Sequence, residues 1–131
     1  ERYERYEEVK KNETRWEEYL MEDAEYAIVA FGIAARVAKN AIKVLREKGI
    51  KAGLIRPITV WPFPTEPIRE ASFRVKGFLS VELSMGQMIE DVKLASECRK
   101  PVELCYRAGG MIPDVERIVK SVEKMAEGGR N

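Results

Sequence analysis

The sequence predicts an α/β protein, a three-layer α/β/α sandwich with about five strands, and two observations predict it. Residues 26–31 form an apolar run that stops at Gly32. A run without alternation is typical of a strand covered on both faces, as in a parallel sheet between helices. A helical pattern follows at once and ends at Gly49, before a second apolar run. Strand, turn, helix and strand in this order predict a βαβ unit and a mostly parallel sheet.

The first helix is predicted from Ala34 to Lys48. Its apolar residues recur at helical spacing opposite a cationic and polar face. Arg46 and Lys48 lie near the negative C-terminal end of the helix, and Gly49 is a typical stop. The apolar positions are Val37, Ala38, Ala41, Ile42 and Leu45.

The N-terminal residues are not predicted to form a domain of their own. Residues 1–14 are expected to form a helix or linker from an upstream domain, and 15–127 the α/β domain. Residues 15–21 fit either the end of that helix or a strand, and Trp16 and Tyr19, with the polar Glu17 and Glu18 between them, favour an exposed edge strand. Glycines at 128 and 129 are expected to open a disordered tail, 128–131.

The remaining elements continue the alternation of strands and helices. Strands are predicted at 51–55, 76–83 and 101–106, and an ordered proline-rich loop at 56–64. Thr65, Ser84 and Asp114 are expected to cap the three helices that follow. The second of these helices is expected to place Met88, Ile89, Val92, Leu94 and Ala95 on its apolar positions.

Composition excludes several classes of function. The chain has 131 residues and a net charge of +1, which implies no bulk attraction to nucleic acid or an anionic membrane. It contains no apolar run long enough for a membrane span and nothing that resembles a secretory signal, so we expect a cytoplasmic protein. Its charged start without Met predicts a piece of a longer polypeptide.

The cysteines do not predict a metal site. Cys98 and Cys105 fit no metal-binding spacing, and the chain contains no histidine. They are either free or joined in a disulfide, which is less unusual in hyperthermophiles. Many Glu and Lys residues, with one Gln and three Asn, favour a thermophilic source.

Candidate site residues lie where the predicted strands reach their carboxyl ends, because ligands of open α/β sheets bind where the winding direction reverses. The turn after the first strand lacks G-x-G-x-x-G, so its glycine either serves the turn or opens a helix N-terminus that binds an anion. The glycines at 109 and 110 predict an anion-binding nest. The candidates, for contact with a ligand or another subunit, are Gly32, Arg36, Arg56, Gly86, Gln87, Arg107, Gly109 and Gly110.

Glu82 is predicted near the end of a buried strand. An ionised carboxylate there needs a partner, for which Arg56 and Arg107 are the candidates. The pair is either structural or part of a polar active-site wall. Without a histidine, metal or nucleophile beside it, Glu82 is a poor catalytic residue.

Several segments together resemble one family. They are IVAFG at 28–32, GLIRPIT at 53–59, WPFP at 61–64, VEL at 81–83, GQM at 86–88, EDV at 90–92, and the glycine pair before Pro113. The chain, from about Trp16 to Met125, resembles the transketolase-C-like, C-terminal domain of the alpha subunit of 2-oxoacid:ferredoxin oxidoreductases. The resemblance implies a sheet whose edge strand is antiparallel to the other four.

The resemblance also implies a function for the whole enzyme. Such enzymes use thiamine diphosphate, iron–sulfur clusters and CoA to convert a 2-oxoacid to an acyl-CoA, with ferredoxin as electron acceptor. The motifs that bind thiamine diphosphate and the clusters are not in these residues, so the domain is expected to have no cofactor, metal or catalytic residue of its own. Its expected partners are the other domains and subunits of the complex.

Two departures from the family concern the site. Ile33 and Ala34 stand where members often have hydroxyl residues, and Ala108 stands where a proline often precedes the glycine pair. As a domain of such a complex, the chain is expected to turn Trp61, Phe63, Met85 and Met88 toward another protein surface. The alternatives are a free-standing module that binds a CoA-like phosphate ligand through Arg36, Arg56 and Arg107, and an oligomerisation scaffold.

Overall fold

The computed structural model describes residues 16–58, 64–82, 88–106 and 113–128. Strands and helices alternate along these residues, which confirms the predicted α/β class. The elements are β1 (Trp16–Tyr19), β2 (Tyr26–Ala30), α1 (Gly32–Glu47), β3 (Ala52–Pro57), α2 (Glu66–Ala71), β4 (Gly77–Glu82), α3 (Ile89–Ser96), β5 (Val102–Tyr106) and α4 (Val115–Gly128).

The five strands form one sheet in the order β1-β3-β2-β4-β5. β2, β3, β4 and β5 are parallel, and β1 is antiparallel to β3, with Glu17 opposite Arg56. The expectation of a mostly parallel sheet with an antiparallel edge strand is therefore confirmed. The chain leaves β2 to form β3 on one side and returns to form β4 on the other, so the winding reverses between β2 and β4.

The core has two parts, one on each face of the sheet. All five residues of β2 are buried, and alternate residues point to opposite faces. Ile28 and Ala30 pack with α1 and α4, whereas Ala27 and Val29 pack with α2 and α3. This arrangement is the predicted three-layer sandwich.

α1 shows how glycine sets both ends of a helix. Gly32 has a φ of +50° directly after β2, and Gly49 has a φ of +88° after the last turn. The N–H of Gly49 donates to the carbonyl of Arg46 (3.0 Å), and that of Ile50 donates to the carbonyl of Leu45 (2.9 Å). This pair of bonds is a Schellman motif. α1 therefore ends as predicted and begins two residues earlier than predicted.

The Arg46 side chain joins α1 to the segment between β1 and β2. Its guanidinium donates to the carbonyls of Leu20 (2.9 Å) and Ala52 (3.0 Å) and pairs with Asp23 at 2.8 Å. The hydrogen bond from Arg46 holds the pKa of the Asp23 carboxyl below its usual value. Because the pKa of Asp23 is lower in the folded state, its ionised carboxyl stabilises the fold at pH values above its unfolded-state pKa. That stabilisation is lost as the pH falls through the folded-state pKa.

The edge strand β1 is less exposed than its sequence predicts. Trp16 is buried with the α2 and α3 face, and Tyr19 packs against the α1 and α4 face. Trp16 and Tyr19 point to opposite faces because they are three residues apart in a strand. The Trp16 indole N–H donates to Glu18 (3.0 Å), so its polar atom is satisfied despite burial.

The predicted helix caps have different outcomes. Asp114 caps α4 as predicted, since its carboxylate accepts the N–H of Arg117 at 2.9 Å. Thr65 occupies the N-cap position of α2, but its side chain makes no capping bond and its main-chain carbonyl accepts the N–H of Arg69. Ser84 lies outside the described residues.

Leu94 was expected on the apolar face of its helix, and that prediction is wrong. Its side chain is 75% exposed, whereas Ile89, Val92 and Ser96 of the same helix are buried. The buried positions recur at three and four residues, so a residue two positions after Val92 lies on the opposite side of the helix.

We expect replacement of Gly53 by Ala to destabilise the fold more than replacement of Gly77. A Cβ on Gly53 would lie 2.8 Å from the carbonyl oxygen of Leu20 and 2.7 Å from the sulfur of Met21. A Cβ on Gly77 would chiefly meet the end of the flexible Met125 side chain, also at 2.7 Å. Because main chain yields less readily, urea unfolding should give a loss of about 1–3 kcal/mol for G53A and less than about 1 kcal/mol for G77A. Equal losses would contradict this distinction.

Candidate functional site at the carboxyl edge of the sheet

Three of the eight predicted site residues lie in the described part of the chain: Gly32, Arg36 and Arg56. Gly32 starts α1 at the carboxyl end of β2, where a Cβ would meet open space, so the positive φ is the feature that favours glycine. Arg36 is exposed one turn further along α1. Gly86, Gln87, Arg107, Gly109 and Gly110 lie outside the described residues, and their roles remain predictions.

Arg56 forms a surface ion pair with Glu17 rather than a buried pair with Glu82. Its Nη1 atom lies 2.9 Å from a Glu17 oxygen, and both side chains are partly exposed. The physical reason is the strand register, which places Glu17 of β1 directly opposite Arg56 of β3. Of the two candidate partners predicted for Glu82, Arg56 is therefore wrong, and Arg107 lies outside the described residues.

Glu82 lies at the end of β4, beside the reversal of winding, and its side chain is buried, with 4% exposed. Its carboxylate accepts two hydrogen bonds. The Ser80 hydroxyl donates to one oxygen (2.8 Å), and the main-chain N–H of Met88 donates to the other (2.6 Å). These two donors satisfy part of the hydrogen-bonding capacity of the carboxylate.

The bond to Met88 lets Glu82 act as a cap supplied by another element. Met88 is the N-cap residue of α3 and has no side-chain cap. A negative charge is favourable at the positive end of a helix. Glu82 thus fixes the end of β4 against the start of α3.

The sequence analysis missed Ser80. It lies two residues before Glu82, so the pleat of a strand places both side chains on one face. A polar residue at that spacing from a buried carboxylate could have indicated the donor. Every buried side-chain nitrogen or oxygen in the described ranges has a hydrogen-bond partner.

Met88 does not face another protein surface as expected. Its side chain is 4% exposed and belongs to the core with α2 and α3. Trp61, Phe63 and Met85, the other three residues of that prediction, lie outside the described residues.

In the described part of the chain, no group of three or more His, Cys, Asp or Glu side chains could hold a metal ion. No described helix is both long and apolar enough to cross a membrane. Glu82 is engaged in capping, and the Arg56 side chain is paired. Contact of this carboxyl edge with a ligand or another subunit remains a prediction.

Residues 24–118 match the family described as "Pyruvate:ferredoxin oxidoreductase core domain II". The chain belongs to this family. This core domain II chain is 50% identical over 123 residues to the ketoisovalerate oxidoreductase subunit VorB of Methanothermobacter marburgensis, which covers 94% of the chain and 35% of the relative. It is 36% identical over 109 residues to the 2-oxoglutarate synthase subunit KorA of Methanothermobacter thermautotrophicus, covering 83% of the chain and 29% of the relative. These organisms agree with the predicted thermophilic source.

Solved structures show the same fold. A split-gene transketolase, described as an inactive beta4 tetramer, superposes with a TM-score of 0.73 at 22% identity, covering 85% of this chain and 41% of that one. The 2-oxoglutarate:ferredoxin oxidoreductase from Magnetococcus marinus gives 0.71 at 22% identity, covering 95% of this chain and 22% of that one. The transketolase-C-like fold and the family named from the sequence are therefore confirmed. The core domain II chain spans about a third of the curated relatives it matches.

The two cysteines, whose state the sequence left open, are both free thiols. Cys98 is exposed, whereas Cys105 is buried in β5. Burial raises the pKa of the Cys105 thiol, and a hydrogen bond with Ser121 opposes that shift.

We expect iodoacetamide to modify one thiol of the native chain near pH 8. The thiolate is the reactive form, and Cys105 is both shielded and held protonated by its raised pKa. Mass spectrometry should find the label on Cys98, and Cys98→Ser should prevent native labelling. Both thiols of the wild-type chain should react in denaturant. Fast native labelling of Cys105 would contradict its burial.

We expect Glu82→Ala to cost about 1–3 kcal/mol of unfolding free energy, because it leaves the Met88 N–H without its acceptor. Glu82→Gln keeps an acceptor for that N–H and can donate to the Ser80 oxygen. It should cost less than about 1 kcal/mol, from loss of charge at the helix end. Urea unfolding of both variants tests this, and a larger cost for Gln than for Ala would be inconsistent with capping.

Proposed function

We propose that this chain is the non-catalytic C-terminal domain of the alpha subunit of a thiamine-diphosphate-dependent 2-oxoacid:ferredoxin oxidoreductase. The enzyme would convert a 2-oxoacid, CoA and oxidised ferredoxin to an acyl-CoA, CO2 and reduced ferredoxin. The observation that carries the proposal is the 50% identity to a ketoisovalerate oxidoreductase subunit across 94% of the chain. The relatives are named as subunits, which supports partners within a complex.

The proposed role of the domain is to support subunit assembly and the path of CoA. The chain has no histidine, and its described carboxyl edge offers contacts rather than an acid–base set. About two thirds of the relative's length lies outside the matched region. Thiamine diphosphate, iron–sulfur clusters and the contact with ferredoxin are accordingly proposed for the rest of a cytoplasmic complex.

Exposed apolar side chains at the carboxyl edge support the assembly role. Ile33, in the first turn of α1, is 57% exposed, and Ile58, directly after β3, is 44% exposed. They stand at the ends of neighbouring strands, beside the predicted contacts Gly32 and Arg56. Clustered apolar groups on a surface are typical of contact with another protein.

A branched-chain 2-oxoacid is the proposed substrate class. The chain is 50% and 46% identical to two ketoisovalerate oxidoreductase subunits. It is 32–36% identical to four 2-oxoglutarate synthase subunits. The domain resembles the two ketoisovalerate oxidoreductase subunits VorB more closely and over a longer alignment, whereas the subunit VorA of Pyrococcus abyssi is 27% identical.

The test is purification of the polypeptide that contains this chain from its native host. We expect a chain about three times as long as this domain, given the 35% coverage, with thiamine diphosphate and iron–sulfur clusters in the same complex. Addition of ketoisovalerate and CoA should reduce ferredoxin, and omission of CoA should stop turnover. Faster reduction with 2-oxoglutarate would overturn the substrate class alone. A 15.0 kDa protein without partners would overturn the proposed function.

A further inference from the structure

A groove lies between α4 and β5, apart from the predicted carboxyl-edge site. Its larger cavity, of about 480 Å³, is lined by residues of both elements, whereas a second, more open cavity of about 430 Å³ is lined in the described ranges by α4 and its N-cap residue alone; Ser121 and Lys124 line both. The larger cavity has apolar walls from Leu79, Leu104 and Met125. Cavities of this size are typical of small-molecule sites. Of the predicted site residues in the described ranges, Gly32, Arg36 and Arg56, none lines this α4–β5 groove.

Three cations on α4 line the second cavity of the groove. Arg117, Lys120 and Lys124 recur at intervals of three and four residues, which places them on one side of the helix. From Arg117 to Lys124 the helix rises about 10 Å. Lys76, directly before β4, adds a fourth cation in the larger cavity and pairs with Glu25 at 3.8 Å. Three carboxylates also line the groove, so its four cations leave a small excess of positive charge, with apolar surface at one end.

These cations are weakly engaged by other side chains. Lys120 meets Glu116 at 3.3 Å, but both side chains are more than 70% exposed. Such exposed pairs contribute little to stability. In the described ranges, neither Arg117 nor Lys124 has a side-chain ion pair. Both side chains are therefore available to an anion.

Acidic groups in the groove limit where an anion can lie. Asp114 already accepts the N–H of Arg117 as the cap of α4. Glu103 of β5 is exposed and lines the larger cavity with Lys124. Its negative charge repels an anion at that end, and its carboxylate oxygens would accept a hydrogen bond from an N–H or O–H group of a ligand. The most favourable place for an anion is the Arg117 to Lys124 side of the groove.

We propose that the α4–β5 groove binds a soluble organic phosphate. The phosphate lies against Arg117, Lys120 and Lys124, and the apolar part of the molecule lies over Leu104 and Met125. Several cations favour a doubly charged phosphate over a monovalent carboxylate, because each adds a charge-assisted hydrogen bond. The proposal does not depend on the proposed function.

Calorimetric titration of the full chain at low ionic strength tests the proposal, with hexyl phosphate as the probe. We expect saturable binding of hexyl phosphate. Inorganic phosphate and hexanol should bind more weakly, because the first lacks the apolar chain and the second lacks the phosphate. In a chain labelled with ¹³C-methyl methionine, hexyl phosphate should shift the Met125 signal. Absence of hexyl phosphate binding, or equal affinity for inorganic phosphate, would overturn the proposal.

Charge variants locate the site. Lys124→Ala and Arg117→Ala should each weaken hexyl phosphate binding about fivefold, as expected for loss of one partly exposed ionic contact. Glu103→Gln should strengthen binding, because it removes a repulsive charge. Lys43→Ala, an exposed lysine of α1 outside the groove, is the matched control. Unchanged binding in the Lys124 and Arg117 variants, with wild-type circular dichroism, would refute the site.

Discussion

The structure depends on burial of β2 on both faces while its two edges pair with β3 and β4. Its five residues leave no side chain for solvent, so each face needs its own helical layer. The connection through α1 supplies one layer, and α2 and α3 supply the other. Because α1 and α2 lie on opposite faces of the sheet, the crossover through α1 places β3 on one side of β2, and the crossover through α2 places β4 on the other side. Covering the central strand on both faces therefore also reverses the winding.

Glu82 shows how this arrangement shapes the carboxyl edge. Because β4 follows the crossover, its last residue faces the start of a helix on the same side of the sheet. A carboxylate at that place meets an unpaired N–H of α3, and the Ser80 hydroxyl fills its other side. Both described hydrogen bonds to Glu82 thus come from its own strand and the adjacent helix, whereas Arg36, Ile33 and Ile58 are exposed at the same edge. Glu82, the group at this edge that most resembles an active-site residue, therefore has a structural role: it joins the end of β4 to the start of α3.

Local signals predicted most of the fold, and pairings between distant elements were the main source of error. The apolar run of β2, the glycine that ends α1 and the Asp114 cap are each encoded within a few residues. The partner of Arg56 depends instead on the β1–β3 register, which composition does not reveal. Met88 was assigned to an interface because its residue type is common there, yet its place before α3 directs it into the core. The groove was not predicted, because its lining comes from β2, β4, β5 and α4 together.

The near-neutral net charge of the chain limits its long-range electrostatic attraction but does not describe its local charges. A total of 23 basic and 22 acidic residues gives no long-range attraction to a polyanion, and that conclusion stands for the molecule as a whole. Several acidic side chains, however, have specific partners: Asp23 pairs with Arg46, Glu17 pairs with Arg56, and Asp114 caps α4. On α4, Arg117 and Lys124 have no side-chain ion pair in the described part of the chain, although the helix carries three acidic and three basic side chains. Within about a Debye length, the placement of these individual charges governs the affinity for a small anion far more than the net charge does.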